Sequence, residues 1–519
     1  PSRLRRRIPI GSQDVASVLD HALERMPDAE ALVGRHARFS YRALDAEVNA
    51  AAAALQALGI VEGSRIAACA ANHTDIVIAF LAAMRLGAIW VGINTALVPG
   101  EKAFMLRDSE ATVLLATPDI AASLTAETTP LRTVVTVDPA SGSGTWPDLV
   151  AQHHDVAPPR RDIDPHAPAA IAYTSGTTGF PKGAVHSQHN MLWPGAEARE
   201  NDPAPPDERH GVMLPLTLLN LQILGPLFAF LKGTTCVCID RADPIGLSAW
   251  IKTERITRMT AVPTVLHDLL THPDVDPGDL ATLRRPECGG TATPHAFREL
   301  FRSRFGADVL TGYGLTEAPT AVTREMPGDE LVAGCSGRPF APVEIVIVDD
   351  AGGAVPASEL GEVCIRARRD GPWAGVYTPF LGYWRNGDAT RHALQGGLLH
   401  TDDLGFLDGD GRLFVKDRRT DVVLRGGANV YPAEVERVLH EHPAVAAAAV
   451  LGVADARLGE RVVAVVELRS GADAGSASLE AFCRDRLARY KVPSQWAFVD
   501  GFARTPMGKI RKAELRDLF

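Results

Sequence analysis

The sequence predicts an α/β protein: a large N-terminal domain of parallel-rich sheets covered by helices, followed by a small C-terminal α+β domain. Three observations predict it. Apolar patterns of strand and helix period alternate through the first half of the chain. The pattern changes near residue 420, which divides the chain into domains at 1–419 and 420–519. Finally, 519 residues with 46% hydrophobic and 22% charged side chains supply a large core and exclude wholesale disorder.

The elements follow in order. Ser40 is placed to cap a helix whose apolar face is Leu44, Val48, Ala52, Leu55 and Leu58, and Gly59 ends it. Residues 65–70 read as a buried strand, 74–86 as a helix and 88–93 as a strand, with further strands at 113–116 and 133–137. Segments 156–168 and 201–209, rich in Pro and Asp, are surface loops. Residues 213–231 carry no charge, but Pro215, Asn220, Gln222, Gly225 and Pro226 interrupt them, so a buried helix or pocket wall is expected there and not an integral membrane span. After the turn Asp408-Gly409-Asp410-Gly411 and the charged run 416–421 come a helix (433–439), two strands (445–451, 462–468), a helix (479–490) and a strand (496–499).

A net charge of -10 gives nucleic acid no electrostatic foothold. Seven cysteines, odd in number and without a C-x-x-C pair, fit a reducing, cytoplasmic setting. The basic start Arg3 to Arg7 precedes no apolar run, so it is not read as a secretory signal. His186 and His189 lie three residues apart with no further metal ligand evident, and His440-Glu441-His442 lacks zinc-protease spacing. Cys236 and Cys238 share one face of a strand and read as core or pocket residues.

The densest chemistry lies in Tyr173-Thr174-Ser175-Gly176-Thr177-Thr178-Gly179-Phe180-Pro181-Lys182-Gly183, directly after an apolar run. Glycines let backbone amides converge, hydroxyls add donors and Lys182 adds a cation, which together suit a phosphate cradle; the Walker A spacing is absent. Taken with Thr311-Gly312-Tyr313-Gly314-Leu315-Thr316-Glu317, His400-Thr401-Asp402-Asp403, Asp417-Arg418, Gly426-Gly427-Ala428-Asn429 and Pro506-Met507-Gly508-Lys509, in that order, the chain resembles the acyl-adenylate-forming (AMP-binding) superfamily, most closely its acyl-CoA synthetases.

The resemblance implies that a carboxylic acid attacks the α-phosphate of ATP and that coenzyme A then displaces AMP. It implies Glu317 as the Mg²⁺ ligand, where residues alone suggest an ordinary surface glutamate. It assigns Thr316 to the α-phosphate, and Thr174, Ser175, Gly176, Thr177, Thr178 and Lys182 to the outer phosphates. Tyr313, between Gly312 and Gly314, would stack on adenine, and Gly289, Gly290 and Thr291 would line the adenine and acyl pocket. Asp403 would accept the ribose hydroxyls with help from Arg418, and Lys509 would bridge carboxylate and α-phosphate. The C-terminal domain is implied to be mobile, delivering Lys509 first and then its Gly426-Gly427 face for thioester formation.

Three positions depart from the family pattern. Asp402 stands where a glycine is usual, and its carboxylate is expected to weaken nucleotide binding unless it points outward. Thr420 replaces a common Asp or Lys at the hinge, and Leu218 a frequent histidine near the substrate carboxylate. The expected acyl-pocket segments (213–230, 262–266, 289–293 and 311–318) contain one charge, Glu317, and no aspartate for a substrate ammonium. An apolar monocarboxylate, aliphatic as in fatty acid metabolism or aromatic, is therefore the expected substrate. Transfer to a carrier-protein pantetheine and a noncatalytic nucleotide- or acyl-binding relative are the alternatives; luciferase-like oxygenation ranks last.

Overall fold

Ser40 does start a helix, Tyr41–Ala57: its hydroxyl accepts the Ala43 N–H at 3.2 Å, and Leu44, Val48, Ala52 and Leu55 are buried along one side. The strands and helices that follow it in the sequence, Arg65–Cys69, Thr74–Arg85, Ile89–Gly92, Val113–Ala116 and Thr133–Thr136, lie within two residues of expectation. The computed structural model describes residues 7–124, 130–156, 162–174, 181–289, 293, 295–425, 428–455, 457–504 and 509–519. They form two compact units, one of Pro1–Glu330, Gly337–Glu344 and Ile365–Leu399, the other of Leu331–Ser336, Ile345–Cys364 and His400–Phe519.

The first unit holds two seven-stranded sheets. One runs in the order Gly382–Tyr383, Lys182–Ser187, Pro168–Thr174, Ile89–Gly92, Arg65–Cys69, Val113–Ala116, Thr133–Thr136. It is parallel from Pro168–Thr174 outward and antiparallel at its other edge. The other runs Leu310–Thr311, Arg285–Cys288, Arg258–Ala261, Arg209–Val212, Thr235–Cys238, Glu30–Val33, Arg38–Ser40, and is parallel except for its last pair. Both are covered by helices, as a parallel sheet buried on its two faces requires. The uncharged stretch from 213 is buried, through helix Leu219–Gln222, a π-helical turn Ile223–Leu227 that accommodates Pro226, and helix Phe228–Lys232. No described helix is long and apolar enough to cross a membrane.

In the second unit, Val445–Asp455 and Gly459–Leu468 pair antiparallel, with Val423–Arg425, Ala428–Val430 and Gln495–Val499 completing a five-stranded sheet. Helices Pro432–His440 and Ser476–Arg484 bury Val435, Val438, Leu439, Leu479 and Cys483 in its core. The second helix stops six residues short of the expected 490. Leu487 still donates to the Cys483 carbonyl at 2.8 Å, but the chain must then turn into Gln495–Val499 past Pro493, which disfavours helix at the residue before it. The strands Gly361–Ala367, Leu399–Leu407 and Leu413–Arg418 of a four-stranded sheet place Asp403 opposite Arg418.

Candidate active site

In the first unit the expected residues gather at the carboxyl ends of parallel strands, where ligands of open α/β sheets bind. Cys288 pairs with Thr311, so Gly289 and Gly312 leave adjacent strands side by side. A Cβ on Gly289 would meet none of the described residues within 4 Å. Gly312 and Gly314 answer a steric demand. A Cβ on Gly312 would stand 2.7 Å from the Thr323 carbonyl oxygen, and one on Gly314 only 1.6 Å from that of Thr320. The close approach lets 311–325 double back on itself: the Tyr313 carbonyl accepts the Val322 and Thr323 N–H groups at 3.0 Å, and Thr311 accepts Glu325 at 2.9 Å. Glu325 locks the base of this turn, accepting the Thr311 amide at 2.8 Å and pairing with Arg298 at 2.6 Å, both side chains buried.

The turn carries Thr316 and Glu317. The Glu317 carbonyl accepts the Phe380 N–H at 2.8 Å, and its carboxylate Oε1 accepts the Tyr383 hydroxyl at 2.7 Å. Lys182 opens the strand paired with Pro168–Thr174, directly opposite Thr174, and its ammonium lies 5.4 Å from the Tyr383 ring centroid. Beneath the turn, His186 is completely buried beside Asn190 and the Thr316 backbone; burial, only partly opposed by these two neighbours, pushes it down to about 4, so it is neutral near pH 7. Ser175, Gly176, Thr177, Thr178, Gly290, Thr291, Gly426 and Gly427 lie outside the described residues.

The uncharged segment from 213, expected to wall an acyl pocket, is pinned from the other sheet. Asn72, just beyond strand Arg65–Cys69, donates to the Leu214 carbonyl at 3.0 Å and accepts the Leu216 N–H at 2.7 Å. Trp90 donates to the Thr217 carbonyl at 3.1 Å, and the Thr217 hydroxyl donates to Ile93 at 3.0 Å. Leu218, in place of the frequent histidine, caps the helix Leu219–Gln222 without a side-chain hydrogen bond. Cys236 and Cys238 are core residues of strand Thr235–Cys238.

In the second unit, Arg418 Nε donates to the buried Asp403 carboxylate at 3.2 Å. Lys509 is exposed as a residue, yet crowding of its ammonium by protein, and then the Arg418 guanidinium, lower it from the ordinary lysine range, while Asp403 opposes them. These three sequence-predicted residues thus share one electrostatic environment. Asp402 is exposed and adopts φ +58°, the left-handed conformation that explains why glycine is usual here and that aspartate tolerates better than most residues. Its amide donates to the Glu362 carboxylate at 3.2 Å.

Glu362, Cys364 and His400 are the described residues whose ligand atoms cluster closely enough for a metal ion. They read as a structural ion-pair network, because His400 Nδ1 lies 3.1 Å from Glu362, Arg419 also faces that carboxylate, and burial pushes the Cys364 thiol up to about 12.

Tyr383, His186 and Asn72 were not singled out for these roles by sequence reasoning. Tyr383 sits in the edge strand Gly382–Tyr383, and only its pairing with Lys182–Ser187 aims it at Glu317. No local signal marks Asn72.

A fold of this kind, with a turn of oxygen donors and a lysine-bearing hairpin at the carboxyl ends of parallel strands, defines a nucleotide-binding α/β enzyme. The family model for the AMP-binding enzyme matches residues 19–383, and that for the AMP-binding enzyme C-terminal domain matches residues 434–509. The chain belongs to this adenylate-forming family. It is 36% identical to the 3-[(3aS,4S,7aS)-7a-methyl-1,5-dioxo-octahydro-1H-inden-4-yl]propanoyl:CoA ligase of Mycobacterium tuberculosis, over 97% of this chain and 98% of that one. It is 32% identical to the fatty acid–[acyl-carrier-protein] ligase ScoC of Streptomyces coeruleorubidus, over 95% and 94%. The anthranilate CoA ligase AuaEII in complex with anthranoyl-AMP superposes with a TM-score of 0.87 at 27% identity, covering 97% of each chain. The expectation of an AMP-forming acid–thiol ligase agrees with these names.

Proposed function

We propose that the protein activates an apolar carboxylic acid with ATP to an acyl-AMP and transfers the acyl group to coenzyme A, releasing pyrophosphate and AMP. The observation that carries this reading is that Tyr383 joins a cation to a carboxylate at the carboxyl ends of parallel strands, with Lys182 over its ring and Glu317 at its hydroxyl. The first step brings a carboxylate against a triphosphate, so its barrier is dominated by charge that must be met by groups already in place. In this reading Lys182 meets the outer phosphates, Thr316 the α-phosphate, Tyr313 the adenine and Asp403 the ribose, with Arg418 beside it. Lys509 carries the charge between the attacking carboxylate and the α-phosphate.

Glu317 suits Mg²⁺, a hard cation that prefers oxygen: among the described residues its carboxylate engages Tyr383 through Oε1, which leaves Oε2 for an ion. Bound there with the nucleotide, Mg²⁺ would neutralise phosphate charge. Residues 1–419 and 420–519 act in this reading as a static and a moving domain, so that one cleft serves both half-reactions. The seven cysteines, all buried and unpaired, support a reducing, cytoplasmic location.

The buried, uncharged wall from 213 to 231 supports an apolar acid, as do the ring-bearing acids in the names of two relatives. The name of ScoC supports the second reading, transfer to a carrier-protein pantetheine. The test is AMP and pyrophosphate release from Mg-ATP over a panel of carboxylic acids, with and without coenzyme A, and with Lys509→Ala. AMP formation that needs both acid and coenzyme A and falls by a factor of ~100 or more in the variant is the expected result. Pyrophosphate exchange without any coenzyme A-dependent turnover would assign the acyl group to a carrier protein. Bound ATP with no exchange for any acid would reject catalysis.

A further inference from the structure

We propose that Tyr383 is the positioning residue that aims the Glu317 carboxylate, and that the segment 380–384 is a rigid bracket built to hold it. The inference rests on the assignment of Glu317 to the nucleotide's divalent cation and goes beyond it.

The bracket grips Glu317 twice. The Phe380 amide fixes the main chain at 2.8 Å, and the Tyr383 hydroxyl fixes the side chain at 2.7 Å. A carboxylate at the end of two methylenes otherwise samples several rotamers, and a charge-assisted hydrogen bond to one oxygen removes most of that freedom. The segment is itself immobilised on three sides. Leu381 and Trp384 donate to the Val185 and Gly183 carbonyls, both at 2.7 Å, which ties the bracket to the strand that begins with Lys182. The Tyr383 amide donates to the Thr390 hydroxyl at 2.8 Å, and the Trp384 indole donates to the Asp108 carbonyl at 2.9 Å. Phe380, buried, meets the Tyr383 ring edge-on with centroids 4.8 Å apart. Gly382, at φ +139°, has no room for a Cβ, which would lie 2.7 Å from Thr390 Cγ2.

Tyr383 therefore has two separable functions. Its hydroxyl orients the carboxylate of Glu317, and its ring supports the ammonium of Lys182. Removing the hydroxyl alone should weaken the cation site and spare the lysine, whereas removing the ring should disturb both.

The experiment measures Mn²⁺ binding by electron paramagnetic resonance in the presence of a nonhydrolysable ATP analogue, with metal-free analogue affinity measured separately and thermal unfolding as a check on folding. Tyr383→Phe is expected to weaken Mn²⁺ binding by a factor of ~10–100, the range for losing a hydrogen bond to a charged group, with metal-free analogue affinity unchanged within a factor of ~2. Tyr383→Leu should weaken both. Thr390→Val, which removes the acceptor of the Tyr383 amide, should weaken Mn²⁺ binding in the same direction by a smaller factor, and so gives a second measurement should Tyr383→Phe fail to fold. If Glu317→Gln weakens Mn²⁺ binding while Tyr383→Phe and Thr390→Val leave it unchanged, the positioning role is overturned and the assignment of Glu317 survives. If Glu317→Gln itself leaves Mn²⁺ binding unchanged, the assignment fails and the inference fails with it.

Discussion

Gly314→Ala isolates the steric basis of the site. Gly314 does not adopt a left-handed backbone, so alanine meets no conformational penalty and the effect of the substitution is purely one of space. The new Cβ would lie 1.6 Å from the Thr320 carbonyl oxygen and 2.6 Å from its carbon, and real contacts essentially never fall below 3.0 Å. Both atoms are backbone, so relief requires displacing the doubled-back strand by more than an ångström. Thr316 and Glu317 sit between the two clashing points and must move with it. A misplacement of about 1 Å in a reacting constellation costs about a factor of 100, while overpacking of this kind costs ~1–3 kcal/mol of stability. Gly314→Ala should therefore reduce acid-dependent pyrophosphate exchange by ~100-fold or more and lower the thermal midpoint only moderately. The matched control is Gly100→Ala in helix Pro99–Ser109, where a Cβ meets nothing within 4 Å and a stability change of under ~1 kcal/mol with unchanged exchange is expected. Exchange within a factor of ~2 of the parent for Gly314→Ala would refute the claim that this close approach sets the position of Thr316 and Glu317.

Asp417 offers a pH test. Burial pushes its carboxyl up to about 6, against the hydrogen bond it accepts from the Ala433 amide at 2.9 Å and the attraction of Lys512, with Glu436 adding to the rise. Because the folded-state value lies above the ordinary 3.8, its ionisation costs stability. That cost is full above about pH 6 and disappears as pH falls toward 4. Asp417→Asn keeps one oxygen for the Ala433 amide but sets its NH2 against the Arg418 amide, which the other oxygen accepts at 2.9 Å, so it should stabilise the protein at pH 7.5 by less than the ~3 kcal/mol of the shift, with the gain shrinking below about pH 6 in thermal unfolding; a gain independent of pH would contradict the burial argument. At Asp402, replacement by glycine should leave the KM for ATP within a factor of ~2, since the residue is exposed. Its stability should change by less than ~1 kcal/mol, because relief of the left-handed φ offsets the added chain entropy. A tenfold gain in ATP affinity would place the carboxylate against the nucleotide instead.

Much of the architecture could be read locally. Ser40 as a cap, the apolar face of Tyr41–Ala57 and the alternation into Arg65–Cys69 and Ile89–Gly92 depend on periodicity and capping chemistry that act over a few residues. The roles expected of Lys182, Thr316, Glu317, Asp403, Arg418 and Lys509 came through the family resemblance of the ordered motifs that hold them; read alone, a glutamate after Leu-Thr or a lysine near residue 509 is an ordinary surface residue. What the sequence alone could not decide was pairing across long separations. Strand Glu30–Val33 joins Thr235–Cys238 some 200 residues on, and nothing in either four-residue run names its partner. The same holds for Tyr383, an ordinary edge-strand tyrosine until its strand pairs with Lys182–Ser187 and its hydroxyl meets Glu317, 66 residues away in the chain. Asp402 likewise reads as an excess negative charge, and neither its left-handed backbone nor its exposure is visible in the sequence. Local preference sets element type because its energies are local; the direction of a side chain depends on which strand the rest of the chain brings alongside.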